Sequence, residues 1–219
     1  MSSYVLMKIL ESTPTRYDRG IRLISRGTIG RVYERVAEIA ATPGARILDL
    51  GCGTGGLSLA CAALGASVVG IDKDPGMLEV AKGKTASGDV EWIELGAMEI
   101  EDRFEPETFD AVVSCLMFSE LFPEERDYVL NKAARLLVPQ GLIVVADEVL
   151  PPSGHKRFMR TLARWPLVAA TWLATQTTTH AVEDLSGLIS KAGFEDVHEE
   201  LIRPAGIAIV RGANKGAAA

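Results

Sequence analysis

The twelve residues from Ala45 to Gly56, Ala-Arg-Ile-Leu-Asp-Leu-Gly-Cys-Gly-Thr-Gly-Gly, constrain this chain more than any other stretch. Ile47 to Leu50 is a short apolar run that reads as a buried strand, and it stops at a glycine cluster. An apolar helical pattern, Leu57 to Leu64, starts at once. Glycine is needed where backbone turns sharply and where a ligand approaches the main chain with no Cβ in the way. A second apolar run, Val68 to Ile71, ends in Asp72. That is about twenty residues past the loop, where dinucleotide-binding folds place an acid that accepts hydrogen bonds from ribose hydroxyls.

The same alternation continues along the chain. A helical pattern (Ile29, Val32, Tyr33, Val36, Ile39) ends before Pro43-Gly44. Strands are expected at 46–50, 67–71, 89–94, 109–114 and 141–146. Helices are expected at 55–64, from Pro75, at 124–137 and at 181–192. Strands alternating with helices argue for a parallel α/β sheet with helices on both faces. The end differs: Phe194–Arg203 and Gly206–Arg211 read as two strands joined at Pro204-Ala205, an antiparallel hairpin on one sheet edge.

Gly51, Gly53 and Gly56 also fit G-x-G-x-x-G, the pattern of nicotinamide-binding loops. Asp49 argues against that reading, because a carboxylate ahead of the loop repels a pyrophosphate seated at the positive end of the following helix. It suits a ligand carrying an ammonium and a sulfonium, as S-adenosylmethionine (SAM) does. At these residues the chain resembles the class I SAM-dependent methyltransferases, whose loop reads Asp/Glu-x-Gly-x-Gly-x-Gly; Asp49, Gly51, Gly53 and Gly55 match it. The resemblance implies a Rossmann-like, seven-stranded, mostly parallel sheet of order 3-2-1-4-5-7-6. It also implies SAM as cofactor and S-adenosylhomocysteine as product.

Carried onto this chain, the resemblance puts Asp49, Gly51, Cys52 and Gly53 at the methionine part and Asp72 at the ribose diol. Lys73 and Met77 would flank the adenine, and Ser114, ending the fourth strand, would meet the methionine carboxylate or amine. The third loop departs from the family: Gly96-Ala97-Met98 stands where many members read Asp-Ala-Glu. Backbone at Ala97 and Met98 would then read the adenine, with Met98 packed on the ring. Ser119 and Glu120 stand where many relatives carry a His-His pair. Glu120, Asp147 and Glu148 are the candidate carboxylate bases, each with a helix cap or ion pair as its alternative role. No Asn-Pro-Pro-Tyr-like signature follows the fourth strand, which argues against methylation of base or glutamine amino groups.

The resemblance divides the chain into a helical arm or lid at 1–41, a SAM-binding domain at 42–212 and a disordered tail at 213–219. A helical lid, 151–180, is inserted after the fifth strand. The net charge of −6 hides a segregation. Residues 1–41 carry seven basic against four acidic side chains, and residues 151–182 carry four basic and no acidic ones. Both segments border the expected substrate mouth, so a lipophilic or anionic small molecule is the leading acceptor. Peripheral contact with an anionic membrane is a further expectation. The apolar stretch from Trp165 to Trp172 suits either a lid or a membrane interface.

The arm around Arg16-Tyr17-Asp18 resembles that of quinone-biosynthesis C-methyltransferases, which implies that Tyr17 closes over the sulfonium by a cation–π contact. More loosely, the arm looks like that of methyltransferases associated with corrinoid proteins, which implies a corrinoid protein as an alternative partner. A third reading is a SAM- or S-adenosylhomocysteine-binding module without catalysis.

Composition sets outer bounds. A chain of 219 residues suits one full domain, as a monomer or homodimer. No apolar run approaches the roughly 20 residues that span a bilayer. Three cysteines without metal-ligand spacing fit a reducing cytoplasm, and no aromatic-basic stripe points to nucleic acid.

Overall fold

The computed structural model describes residues 17–18, 21–22, 25, 27–85, 90–149, 182–203 and 206–216. Residues 1–16 of the expected helical arm and the 151–180 insertion lie outside them.

The glycine-punctuated alternation builds helix α1 (Thr28–Ala40), β1 (Arg46–Leu50), α2 (Gly56–Ala63), β2 (Ser67–Asp72), α3 (Pro75–Lys84) and β3 (Val90–Glu94). It continues through α4 (Ile100–Arg103), β4 (Phe109–Cys115), α5 (Pro123–Leu136), β5 (Leu137–Glu148), α6 (Leu185–Lys191), β6 (Phe194–Ile202) and β7 (Ile207–Asn214). The seven strands form one sheet in the order β3-β2-β1-β4-β5-β7-β6. β7 runs antiparallel to both its neighbours, and the other pairings are parallel. The fold class expected from the sequence is the one observed.

Two apolar layers enclose the sheet. Along β1, Ile47 faces one layer while Leu48 and Leu50 face the other, as the period of two requires. On the first face α1 and α2 lay Ile29, Val32, Val36 and Leu57 against Val68, Val113 and Ile209. On the second, α5 and α6 lay Val129, Leu130, Leu185 and Ile189 against Val69, Val112 and Val210. Each of these side chains is removed from water almost completely, contributing roughly 1.5–3 kcal/mol when fully buried.

Several boundaries differ from the sequence reading; α6, for one, begins at Leu185 rather than 181. β5 begins at Leu137 rather than 141, because Leu137 pairs with Phe109 before the strand bends at Gln140, whose φ is +65°. The parallel ladder then resumes at Leu142 opposite Ala111. At the carboxyl end, Ala213 and Asn214 belong to the sheet and not to a disordered tail. The Asn214 side chain donates to the carbonyls of Ala134, Leu137 and Val138 at 3.0, 3.0 and 3.2 Å, which fastens β7 where α5 meets β5. Among the described residues, no helix is long and apolar enough to cross a membrane.

Candidate active site

Strand order reverses between β1 and β4, and in open α/β sheets ligands bind outside the carboxyl ends of strands at such a point. Hydrogen bonds between the loops there make one framework. The N–H of Cys52 donates to the Ile71 carbonyl at 2.9 Å, so the glycine loop after β1 lies against the end of β2. Gly53 and Asp74 donate their backbone N–H groups to the two Asp72 carboxylate oxygens at 2.8 and 2.9 Å. Leu95 N–H donates to the Asp72 carbonyl at 3.0 Å, bringing in the loop after β3.

Gly51 has a structural reason to be glycine. Its φ is +68°, and a Cβ there would stand 2.6 Å from Cγ of Met117, which crosses over from the loop after β4.

These loops surround a cavity of about 380 Å³, within the size range of small-molecule and cofactor sites. Nine of the sequence-selected residues line it: Tyr17, Gly51, Gly53, Asp72, Lys73, Met77, Ala97, Met98 and Glu120. Four carboxylates line it as well (Asp72, Asp74, Glu120 and Glu125), against Lys73 as the cation. Such a cavity disfavours a pyrophosphate and suits a cationic ligand. Burial pushes the Asp72 carboxyl above its usual range, opposed by its two backbone hydrogen bonds and reinforced by Asp74 and Glu120 nearby. Each Asp72 oxygen accepts one backbone bond and keeps a further lone pair, so the side chain is already oriented for a pair of hydroxyl donors.

Five selected residues stand apart from this cavity. Asp49 and Cys52 border an adjoining recess of about 20 Å³, which shares Tyr17, Gly51, Gly53 and Cys115 with the larger space. The Asp49 carboxylate accepts from Ser58 Oγ at 2.5 Å, and burial pushes it up to about 7 despite that bond. Burial likewise pushes the Cys52 and Cys115 thiols up, so neither is a thiolate at neutral pH. Ser114 is a strut rather than a lining residue: it is buried, and its hydroxyl donates to the Leu50 carbonyl at 2.9 Å, tying β4 to β1.

Asp147 is buried too and accepts from the N–H groups of Ser119 and Glu148 at 3.0 and 2.7 Å. Its carboxyl is raised to about 6 by burial, with those bonds opposing. One oxygen holds the turn Phe118–Glu120 through Ser119, and the other accepts from its chain neighbour Glu148. Glu148, at the end of β5, is half-buried and away from the cavity lining. Of the three candidate bases, Glu120 alone reaches the cavity.

The sequence reading missed the apolar wall formed by Leu95, Leu116, Met117, Leu121 and Phe122. Leu116 holds φ at +62°, a conformation that costs a non-glycine residue roughly 1–2 kcal/mol. Phe122 is 61% exposed and Met98 38%, large apolar side chains left at the mouth. Their signal was positional: Leu116 and Met117 directly follow β4, where the strand-end rule concentrates ligand contacts.

A doubly covered sheet of this order, with a glycine loop and a carboxylate-rich cavity at the switch point, fits an α/β protein that binds a cationic small molecule. The profile of a methyltransferase domain family matches residues 47–141. A demethylmenaquinone methyltransferase of Clavibacter sepedonicus is 31% identical over 220 aligned positions, covering 93% of this chain and 88% of that protein. A ubiquinone biosynthesis O-methyltransferase of Xanthomonas campestris pv. campestris (strain B100) is 33% identical over 177 positions, 70% of each chain. Among solved structures, a SAM-dependent methyltransferase from Archaeoglobus fulgidus superposes with a TM-score of 0.66 at 16% identity, over 90% of this chain and 99% of that one. That last likeness is one of fold.

The chain belongs to the class I SAM-dependent methyltransferases. Its cofactor is SAM, and the reading as a binding module without catalysis gives way to that of an enzyme.

Proposed function

We propose that this methyltransferase transfers the SAM methyl group to a lipophilic small molecule, a demethylated quinol ring of the kind named in its relatives. The observation that carries this reading is the set of apolar side chains, Leu95, Leu116, Met117, Leu121 and Phe122, that line the cavity together with its carboxylates. A neutral ring gains by burial against these side chains, whereas an anion would meet Glu120 and Glu125, with Lys73 the one cation among the described lining residues. The 93% coverage shared with a demethylmenaquinone methyltransferase supports the same acceptor class. The basic segments behind the anionic, corrinoid-protein and membrane expectations fall largely outside the described residues.

Bound in the cavity, SAM supplies a methyl group on a sulfonium, which departs as a neutral thioether, S-adenosylhomocysteine. The protein's part is alignment and exclusion of water more than elaborate chemistry. Asp72 orients the ribose through its remaining lone pairs. Asp49, under the loop, offers negative charge toward the methionine end. The side chain of Glu120 takes the ring hydroxyl's proton as the ring carbon bonds the methyl and the S–CH3 bond breaks, so that no free phenolate has to form beforehand; the hydrogen on that carbon then leaves as the hydroxyl re-forms. Met98 and Phe122, exposed at the mouth, meet the apolar part of the acceptor.

The test is transfer from methyl-labelled SAM to demethylmenaquinol in detergent micelles, beside a bacterial lysate separated into organic and protein fractions. Label is expected in the quinol and in the organic extract. Label confined to protein would overturn the small-molecule reading.

A further inference from the structure

The arm residues 17–18 meet the glycine loop through a closed set of three polar contacts. Thr54 Oγ1 donates to one carboxylate oxygen of Asp18 at 2.6 Å. The other Asp18 oxygen forms an ion pair with Lys84, the last residue of α3. Lys84 Nζ also donates to the Thr54 carbonyl at 2.8 Å. Thr54 is thus held at both its hydroxyl and its carbonyl, and three separate segments meet on it. It is 4% exposed, so its hydroxyl–carboxylate bond is sheltered from water on one side. Tyr17, next to Asp18, lines both the large cavity and the recess above Asp49. Three residues further on, buried Ile21 packs into the apolar layer under the loop.

We propose that Asp18, Thr54 and Lys84 form a clasp that holds Tyr17 across the cofactor cavity, making them positioning residues for retention of SAM. The inference rests on the reading of the large cavity as the cofactor site. Among the described arm residues, Ile21 supplies an apolar contact with the core. The clasp adds direction. It ties the residue beside Tyr17 to the loop whose Gly51 and Gly53 line the cavity. It also ties that residue to α3, whose first turn carries Met77 in the cavity wall. Arm, loop and helix therefore shift together or not at all. The Asp18 and Lys84 side chains are 43% and 30% exposed, so their ion pair is partly screened and the clasp weakens as salt rises.

The experiment is calorimetric titration of the full chain with S-adenosylhomocysteine and SAM, with no acceptor present, for Asp18→Asn, Lys84→Met, Tyr17→Ala and the double variant Asp18→Asn/Tyr17→Ala. Asp18→Asn and Lys84→Met are each expected to raise Kd about tenfold, the scale of one lost charged hydrogen bond. In the Tyr17→Ala background, Asp18→Asn should add less than twofold, because the residue it positions is gone. A merely structural role would not give that non-additivity. Full additivity, or unchanged Kd in both Asp18→Asn and Lys84→Met, overturns the clasp. Unchanged affinity in Tyr17→Ala overturns the placing of Tyr17 on the cofactor, and the clasp with it. None of these outcomes depends on the acceptor, so failure of the quinol reading leaves the test intact.

Discussion

Asp72 accepts the backbone N–H of Gly53 at 2.8 Å, so the acid that ends β2 also braces the glycine loop that ends β1. Two features that look independent along the chain act as one device. Its second oxygen accepts from Asp74 N–H, which in turn sets the Asp74 side chain to cap α3 through Gly76 N–H at 2.8 Å.

Asp72→Ala is therefore expected to weaken SAM binding by ~1–3 kcal/mol, the range for losing a buried hydrogen-bond partner, and to lower the melting temperature as the loop loses its brace. Calorimetry and a thermal melt measure the two effects. Unchanged SAM affinity would rule out the ribose assignment.

Protonation of the buried acids sets a pH dependence. Burial raises Asp49 to about 7 and Asp147 to about 6, so the folded chain holds these protons more tightly than the unfolded chain, where Asp titrates near ~3.9. Stability from the two groups is full below that unfolded value and is lost as pH rises through 6 and 7. Without ligand, these groups make the melting temperature fall between pH 5 and pH 8, and Asp49→Asn should flatten the upper part of that fall. A bound sulfonium and ammonium favour the charged carboxylate, so SAM affinity should rise over the same interval, by at most about tenfold per pH unit for one proton. Flat affinity from pH 6 to pH 8 would mean that Asp49 does not sense the cofactor's charge.

Glu120→Gln and Asp147→Ala should fail in different ways. If Glu120 takes the acceptor proton, its replacement lowers kcat by about 10²–10⁴-fold, the usual range for a general base. Asp147→Ala instead strands the N–H groups of Ser119 and Glu148 in a buried place. It should act mainly on stability, at ~1–3 kcal/mol for each unpaired group. Single-turnover methyl transfer and a denaturant titration separate the two.

Alanine at Gly51 should be worse than alanine at Gly53. Both have positive φ, +68° and +53°, so both substitutions carry left-handed strain of roughly 1–2 kcal/mol. A Cβ at Gly51 also meets Met117 at 2.6 and 2.9 Å, while one at Gly53 meets nothing within 4 Å. Gly51→Ala therefore adds about 1–3 kcal/mol of overpacking and should displace the loop after β4. Comparing melting temperatures and SAM affinities of the two variants checks this, and equal effects would count against the contact.

The sheet and the strand ends that border the cavity were legible because their signals are local. Ile47 and Leu48 face opposite layers because successive strand residues must. The acid of Asp72 falls beside the glycine loop because parallel neighbours joined by a helix end at the same edge of the sheet. β5 was read four residues short at its start because Pro139-Gln140-Gly141 looks like a turn. The strand bends there and continues, because pairing of Leu137 with Phe109 holds it in the ladder.

The sequence by itself determined the α/β alternation, the strand-end glycines and the two acids at Asp49 and Asp72, since each depends on residues close together along the chain. Only the tertiary structure decided that Asp49 lies under the loop bonded to Ser58, that Ser114 bonds the Leu50 carbonyl, and that Asp147 accepts from Ser119. It alone raised the apolar wall of Leu116, Met117 and Phe122 beside the cavity. It alone joined Asp18 to Thr54, thirty-six residues apart. The reason is physical: backbone period and glycine conformation act within a few residues, whereas burial and side-chain pairing exist only once distant segments have packed.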